Sequence, residues 1–309
     1  MPQIPWPNGK TFAFTVFDDP DSLTVPVGRE VYACLADLGF RTTKGVWTVW
    51  GTEPRSDPGG SCDDADYREW CLELQQKGFE MGFHNATQYT SARERTARGL
   101  NRFREIFGHD PVTMSNHYNC AEDVYWGDER VSGWRRALYN VVTRGANRHR
   151  FFGHIPGHPY FWGDLCKERV TYVRNFVFAR VNTLHACPQM PYHDPTKPFV
   201  NNWYASSEGA NVRSFTAMIT EASQDQLAAE GGACIMYTHF AHGYVSDGRL
   251  DRRFVALMER LASLNGWFVP VRELLDHIRV HRGTHMLTDD ERAALERRWL
   301  WDKIRHGSS

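Results

Sequence analysis

Short apolar runs alternate with segments of helical periodicity along this chain, and this alternation favours an α/β fold. Four runs, residues 11–17, 78–83, 111–116 and 233–238, have the aromatic and β-branched composition of buried strands. Each of them leads directly into an acid or a histidine. Because the carboxyl ends of parallel strands meet at one rim, we expect these polar side chains to share one crevice.

The polar residues that end these runs have the composition of a metal site. Asp18 and Asp19 follow the first run, and unpaired buried carboxylates are costly to desolvate. One such acid can hold a metal while its neighbour acts as a base. The same segment is also favourable turn chemistry, so a solvated turn is the alternative. His84, His117 and His239 end the other runs, and mixed acid and imidazole ligands suit zinc and similar divalent ions.

Composition narrows the class of protein. At 309 residues the chain can form one large α/β barrel or two small domains. Its net charge of −1 gives no sign of a polyanion-binding surface, so we expect no nucleic-acid partner. No apolar stretch reaches membrane-spanning length, and the first residues do not resemble a signal peptide. Seven cysteines without a Cys-x-x-Cys pair predict reduced thiols and a cytoplasmic location.

The periodicity predicts one main domain and a short terminal segment. We expect residues 1–282 to form a (β/α) barrel and residues 283–309 to form a C-terminal helix and tail. Residues 146–200 are rich in proline, histidine and aromatic side chains and show little periodicity. This stretch is too long for a plain connection, so it is predicted to be an irregular insertion that shapes the substrate site.

Several motifs, taken in order, resemble those of one enzyme family. Phe17-Asp18-Asp19 is similar to the Thr-Phe-Asp-Asp-Gly signature of the polysaccharide deacetylases, carbohydrate esterase family four. Residues 78–84 resemble its Gly-x-x-Ile-Gly-x-His motif, and residues 235–239 resemble its strand ending in Leu-x-His. The resemblance covers residues 10–278 approximately. It implies a divergent member with a distorted (β/α) barrel of seven or so parallel strands.

The resemblance also implies a role for each matching residue. Asp18 matches the general base, and Asp19 and His84 match metal ligands. His239 matches the histidine that protonates the leaving amine. This assignment agrees with chemistry in which a metal polarises the amide carbonyl and two side chains move protons.

Two departures from the family pattern concern the metal site. Gln88 stands where the family has its second ligand histidine, and Ser115-Asn-His-Tyr-Asn119 replaces Arg-Pro-Pro-Tyr-Gly. We interpret the two departures as a single change, in which His117 supplies the imidazole that is missing at position 88. The alternative is that the metal site has been lost. No arginine stands at the family's position, which leaves the orientation of Asp18 open. Three arginines are candidates for that role: Arg144, Arg148 and Arg150.

The predicted function is metal-dependent hydrolysis of an N-acyl amide, acetyl or formyl, on an amino sugar or related precursor. The cofactor is one divalent ion, with zinc as first choice, and the substrate is a small molecule or an oligosaccharide; a homo-oligomer is compatible with the sequence. Two alternatives stay open: an allantoinase-like hydrolase of another C–N bond, and a catalytically inactive carbohydrate-binding barrel. Five residues are expected to contact substrate: Asn85, Gln88, Tyr118, Trp203 and His242.

Overall fold

Seven parallel strands close into a barrel. The computed structural model describes residues 4–54 and 57–307. In chain order its strands are β1 (Phe12–Asp18), β2 (Thr43–Val46), β3 (Glu80–Phe83), β4 (Thr113–Met114), β5 (Tyr172–Phe178), β6 (Tyr192–His193), β7 (Asn202–Ser207), β8 (Ala233–Thr238), β9 (Val245–Ser246), β10 (Arg249–Leu250), β11 (Gly266–Phe268) and β12 (His285–Met286). The barrel runs β1-β2-β3-β4-β5-β7-β8, and β8 pairs back with β1.

Helices surround this barrel and connect its strands. They are α1 (Val25–Asp37), α2 (Ala65–Gln76), α3 (Arg93–Phe107), α4 (Gly133–Val142), α5 (Gly163–Arg169), α6 (Thr183–Ala186), α7 (Val212–Met218), α8 (Glu221–Glu230), α9 (Arg252–Ser263), α10 (Val271–Arg282) and α11 (Asp289–His306). The first three follow β1, β2 and β3 in turn, as expected for parallel strands that need a crossover. No helix within the described residues combines the length and apolar composition needed to span a membrane.

The barrel strands are buried on both faces. All seven residues of β1 are inaccessible to solvent, which explains its nearly continuous apolar sequence. Close packing inside the barrel requires glycine on β3, which is separated from β1 by β2. A Cβ atom at Gly82 of β3 would lie 2.8 Å from the ring of Phe17. The sequence therefore combines a large aromatic side chain with a glycine where two strands approach each other.

The parallel barrel that the sequence predicted is confirmed, but the middle of the chain is more regular than expected. Residues 146–200 contain α5, α6 and β5, and β5 is a fully buried strand of the barrel. The polar residues Arg174 and Asn175 interrupt its apolar pattern, which concealed the strand in the sequence. The domain boundaries at residues 282 and 283 stay a prediction, although α11 contacts the barrel through the rings of Trp299 and Phe176, 5.0 Å apart.

Candidate metal centre and active site

The loops that follow β1, β3, β4 and β8 bring polar side chains together at the carboxyl-end rim of the barrel. They surround a cavity of about 180 Å³. Five of the lining residues can bind a metal or transfer a proton: Asp19, Asp21, His84, His117 and His239. The four strand ends therefore converge as expected, and the site lies where parallel α/β barrels place their chemistry.

Three of these residues form a compact group of ligand atoms. His84 Nε2 lies 3.1 Å from His117 Nδ1, and each nitrogen lies 3.4 Å from Asp21 Oδ1. Tetrahedral zinc with bonds of about 2.0–2.1 Å would separate its ligand atoms by about 3.3 Å. The buried Oδ1 of Asp21 has no hydrogen-bond partner among the described residues. The donor set and this unsatisfied oxygen therefore fit a divalent cation.

A hydrogen-bonded chain fixes the orientation of His84. Ser115 Oγ donates its proton to Asp19 Oδ1 at 3.0 Å. Because that proton is used, the Ser115 oxygen is the acceptor for His84 Nδ1, 2.7 Å away. With its proton on Nδ1, His84 presents the Nε2 lone pair to the ligand group. Burial lowers the pKa of His84, which favours the neutral imidazole that a metal requires. Such outer partners set both the tautomer and the basicity of a ligand.

Asn85 holds the loop that carries the second histidine. It adopts a left-handed backbone conformation with φ of 56°, which asparagine tolerates better than most residues. Its Oδ1 accepts from the His117 backbone N–H at 3.4 Å, while its Nδ2 donates to Asp123 Oδ1 at 2.8 Å. Asn85 therefore fixes the backbone position of His117 through a hydrogen bond and does not line the cavity.

Asp19 is held by a buried arginine from the opposite side of the barrel. Arg174 of β5 binds it in a bidentate pair, with nitrogen–oxygen distances of 3.1 and 2.6 Å. Burial alone would raise the pKa of Asp19, but the Arg174 guanidinium outweighs it and lowers the pKa. Asp19 is therefore an ionised carboxylate in a fixed orientation at the cavity wall.

Asp18 points away from the cavity. Its carboxylate accepts from Tyr32 at 3.0 Å and from the Phe240 backbone N–H at 2.8 Å, and Lys44 lies 3.4 Å away. Burial raises the pKa of Asp18, partly offset by Lys44. Successive side chains of a strand face opposite sides, so adjacent acids cannot both face the barrel. Asp18 faces the helical layer, and Asp19 faces the interior.

His239 presents one nitrogen to the cavity. Its Nδ1 lies 2.8 Å from the Ala210 carbonyl oxygen, which accepts its proton. Its Nε2 lies 3.7 Å from Asp21 Oδ2, across the cavity from Arg174 and Asp19. The carbonyl therefore fixes the ring with Nε2 available for proton transfer.

Solved structures share this architecture. A protein described as a polysaccharide deacetylase from Mycobacterium smegmatis superimposes with a TM-score of 0.53 at 12% identity, covering 93% of this chain and 97% of that one. The fold is that of a polysaccharide deacetylase. Peptidoglycan deacetylase PdaC from Bacillus subtilis overlaps less, with a TM-score of 0.41 at 13% identity, covering 95% and 99% of the two chains. No protein-family profile and no curated protein sequence matches the chain.

The deacetylase-like barrel brings together most of the predicted site but places the two adjacent acids differently from the prediction. His84, His117 and His239 line one cavity, as expected. The expected general base, Asp18, does not line it, because its side chain lies on the outer face of β1. The expected ligand, Asp19, is bound by an arginine, and the acid in the ligand group is Asp21, which the sequence did not single out.

The predicted substrate contacts are only partly at the cavity. Tyr118 lines it and is 56% exposed. Trp203 is buried in the core, where its ring packs at 6.2 Å from Tyr125. His242 packs against His239, with ring centroids 4.8 Å apart, and is not part of the cavity wall. Gln88 is buried, and like Asn85 it does not reach the cavity.

Sequence analysis missed the arginine that positions the acid. The three candidates, Arg144, Arg148 and Arg150, are exposed in the segment after α4 and do not line the cavity. Arg174 instead orients one of the two adjacent acids, but that acid is Asp19 and not Asp18. A charged residue within the apolar run of residues 172–178 was the available signal, because burying a guanidinium requires a partner.

Proposed function

We propose that this protein is a metal-dependent hydrolase that removes an acetyl or formyl group from the nitrogen of an amino sugar or a related carbohydrate. The observation that carries the proposal is the group of Asp21, His84 and His117 ligand atoms beside an oriented carboxylate and a histidine. A binding module would have no evident use for that arrangement.

Asp21, His84 and His117 would hold the cation, with zinc as first choice because two imidazoles and one carboxylate suit it. When bound, the ion would polarise the amide carbonyl and lower the pKa of water. The hydrogen bonds to Ser115 and Asn85 keep the two imidazoles aimed at a common point. The chain thus prepares the ligand positions with little rearrangement.

Asp19 is the side chain best placed to accept a proton from the attacking water. It lines the cavity, and Arg174 holds both of its oxygens in a fixed plane. Its lowered pKa keeps it ionised near neutral pH, as a base must be. In this proposal Asp19 replaces Asp18, which is bound to Lys44 on the outer face of the strand.

His239 would return a proton to the departing nitrogen. An amide anion is too basic to leave, so the nitrogen must be protonated as the C–N bond breaks. The Ala210 carbonyl accepts from Nδ1, which leaves Nε2 facing the cavity, 3.7 Å from Asp21 Oδ2. Nε2 is then the donor that faces the substrate.

The cavity favours a small acyl group. Its volume of about 180 Å³ is below the roughly 300–1,000 Å³ of typical small-molecule pockets. An acetyl or formyl group requires little space, and Tyr118 and Trp126 at the wall offer aromatic faces to a sugar ring. A large polymer could place only one of its sugar units in this cavity at a time.

Metal removal tests this proposal directly. The protein is stripped with a chelator and titrated with zinc, cobalt or manganese, and amine release is measured from N-acetyl and N-formyl amino sugars. We expect release to disappear on stripping and to return at about one equivalent of metal. Release that persists without metal would favour a metal-independent C–N hydrolase. Metal binding without release from any N-acyl sugar would contradict the proposed reaction.

A further inference from the structure

A buried arginine without a carboxylate partner forms another part of the cavity wall. The guanidinium of Arg130 lies between two indole rings, 4.0 Å from the Trp126 centroid and 4.3 Å from the Trp299 centroid. The residue is only 3% exposed. Its Nε and Nη1 atoms have no hydrogen-bond partner in the described part of the chain. Stacking on aromatic rings satisfies the faces of the guanidinium but not its N–H groups.

The carboxylates around the cavity leave Arg130 unmatched. Two acids line the wall, Asp19 and Asp21. Arg174 is already matched by Asp19, and Asp21 belongs to the ligand group. No ion pair to Arg130 occurs among residues 4–54 and 57–307. A buried charge with unsatisfied donors is costly, so an unmatched guanidinium of this kind indicates an anion that enters from outside.

The pKa directions of the two cations agree with this geometry. Burial lowers the pKa of Arg130; Tyr139 opposes this effect, and the nearby Arg174 adds to it. Burial and the nearby Arg130 lower the pKa of Lys303 to about 8, against an opposite effect of Glu208. An anion bound between the two side chains would oppose both decreases in pKa.

We propose that Arg130, with Lys303, binds an oxyanion of the substrate, a carboxylate or a phosphate, in the same cavity as the catalytic groups. This inference rests on the proposed function, because it describes the substrate of that reaction. Both anions accept hydrogen bonds from guanidinium, and a planar fork binds either of them bidentately. Substrates would therefore be N-acyl amino sugars, or related compounds, that carry a negative group near the amide.

Binding of simple anions tests the proposal without requiring turnover. Inorganic phosphate and acetate are titrated into the chelator-treated protein by calorimetry, with wild type compared to Arg130→Met and Arg130→Lys. We expect one anion to bind wild type, with a loss of roughly tenfold to hundredfold in affinity for Arg130→Met, as for a charged hydrogen bond. Arg130→Lys should lose less. The preferred anion distinguishes a phosphate ester from a carboxylate.

Two control variants test whether losing a positive charge outside the cavity changes anion binding. Arg136→Met removes an arginine of α4 that pairs with Asp128 and Glu129 outside this cavity. Arg305→Met removes a charge two residues from Lys303 on α11. Both should bind the anion as wild type does, while Lys303→Met should weaken binding. Equal affinity in wild type and Arg130→Met, or no anion binding in wild type, would overturn the proposal, and thermal melting checks that each variant is folded.

Hydrolysis then links the anion site to the reaction. Amine release is compared for N-acetylglucosamine, its 6-phosphate and N-acetylmuramic acid in the metal-loaded protein. We expect an anionic sugar to be the better substrate, and Arg130→Met to raise KM for that sugar alone. If no sugar releases amine, the proposed function fails while the calorimetric result still decides the anion site. If the neutral sugar is preferred, the site does not serve the substrate.

Discussion

At the scale of single residues, the decisive feature is that three acids within four consecutive positions have three different surroundings. Asp18 pairs with Lys44, Asp19 pairs with Arg174, and Asp21 faces two imidazoles. Burial alone would raise the pKa of Asp21, but the facing imidazoles of His117 and His84 hold that pKa well below its usual range. Identical side chains can therefore have separate roles, and substitutions can tell those roles apart.

Exchanging each acid for its amide separates the ligand from the base. Asp21→Asn should abolish stoichiometric metal, because the neutral amide is a poor ligand for a divalent cation. Asp19→Asn should retain the metal but reduce turnover by about 10²–10⁴-fold, the usual cost of losing a general base. Metal content by elemental analysis and turnover by amine release are measured on the same preparations. Loss of metal from Asp19→Asn with retention by Asp21→Asn would reverse the assignment.

Ser115 tests whether the orientation of His84 affects metal affinity. Its hydroxyl connects His84 to Asp19, so Ser115→Ala should leave Nδ1 of His84 without an acceptor. We expect metal affinity to fall by about 10–100-fold, as is typical of outer-sphere partners. Ser206→Ala is the matched control, since Ser206 is buried on β7 and its Oγ has no hydrogen-bond partner among the described residues. Equal metal affinity in both variants would remove Ser115 from the site.

At the scale of elements, the pairing of β1 with β2 gives the buried Asp18 a partner of opposite charge. Asp18 and Lys44 are register partners on the two strands, and both side chains are completely buried. Removing one partner leaves an uncompensated charge, so Lys44→Met should reduce the free energy of unfolding by about 3–5 kcal/mol. Urea denaturation measures this loss. Turnover per folded molecule should stay near the wild-type value, whereas a large fall in it would place the pair in the chemistry.

The strands also show what the sequence could and could not predict. Their composition located β1, β3 and β8 because parallel strands buried on both faces are almost continuously apolar. A strand that is apolar throughout has no alternation of polar and apolar residues to mark its two faces. The sequence therefore could not tell whether the side chain of Asp18 or that of Asp19 points into the barrel. β5 escaped notice because Arg174 breaks its pattern, and only the closed barrel shows that this arginine meets Asp19.

Asp21 illustrates a different limit. It lies beyond the end of β1, in a segment whose composition fits an ordinary turn. Its proximity to His84 and His117 depends on contacts between loops that follow three different strands. Such long-range geometry leaves no periodic signal in the sequence, whereas the histidines were visible because each follows an apolar run.

At the scale of the whole molecule, a buried acid far along the strands from the site should contribute to how stability depends on pH. Glu80 begins β3 and accepts hydrogen bonds from Thr43 at 2.6 Å, Thr113 at 2.8 Å and the Arg272 backbone at 3.0 Å. Burial raises its pKa from 4.5 to about 7, and these hydrogen bonds offset only part of that rise. Between pH 4.5 and about 7, the folded protein therefore keeps a proton on Glu80 that the unfolded chain has already released.

This difference sets the sign of the pH dependence. Between pH 4.5 and 7 the folded state holds more protons at Glu80, so its contribution to the free energy of unfolding declines as pH rises, by about 3 kcal/mol in all. Glu80→Gln cannot ionise and should flatten that decline, while the exposed Glu30→Gln should leave it unchanged. Urea midpoints at pH 5, 6, 7 and 8 measure the slope. A slope in Glu80→Gln equal to that of wild type would show that other buried acids, and not Glu80, control it.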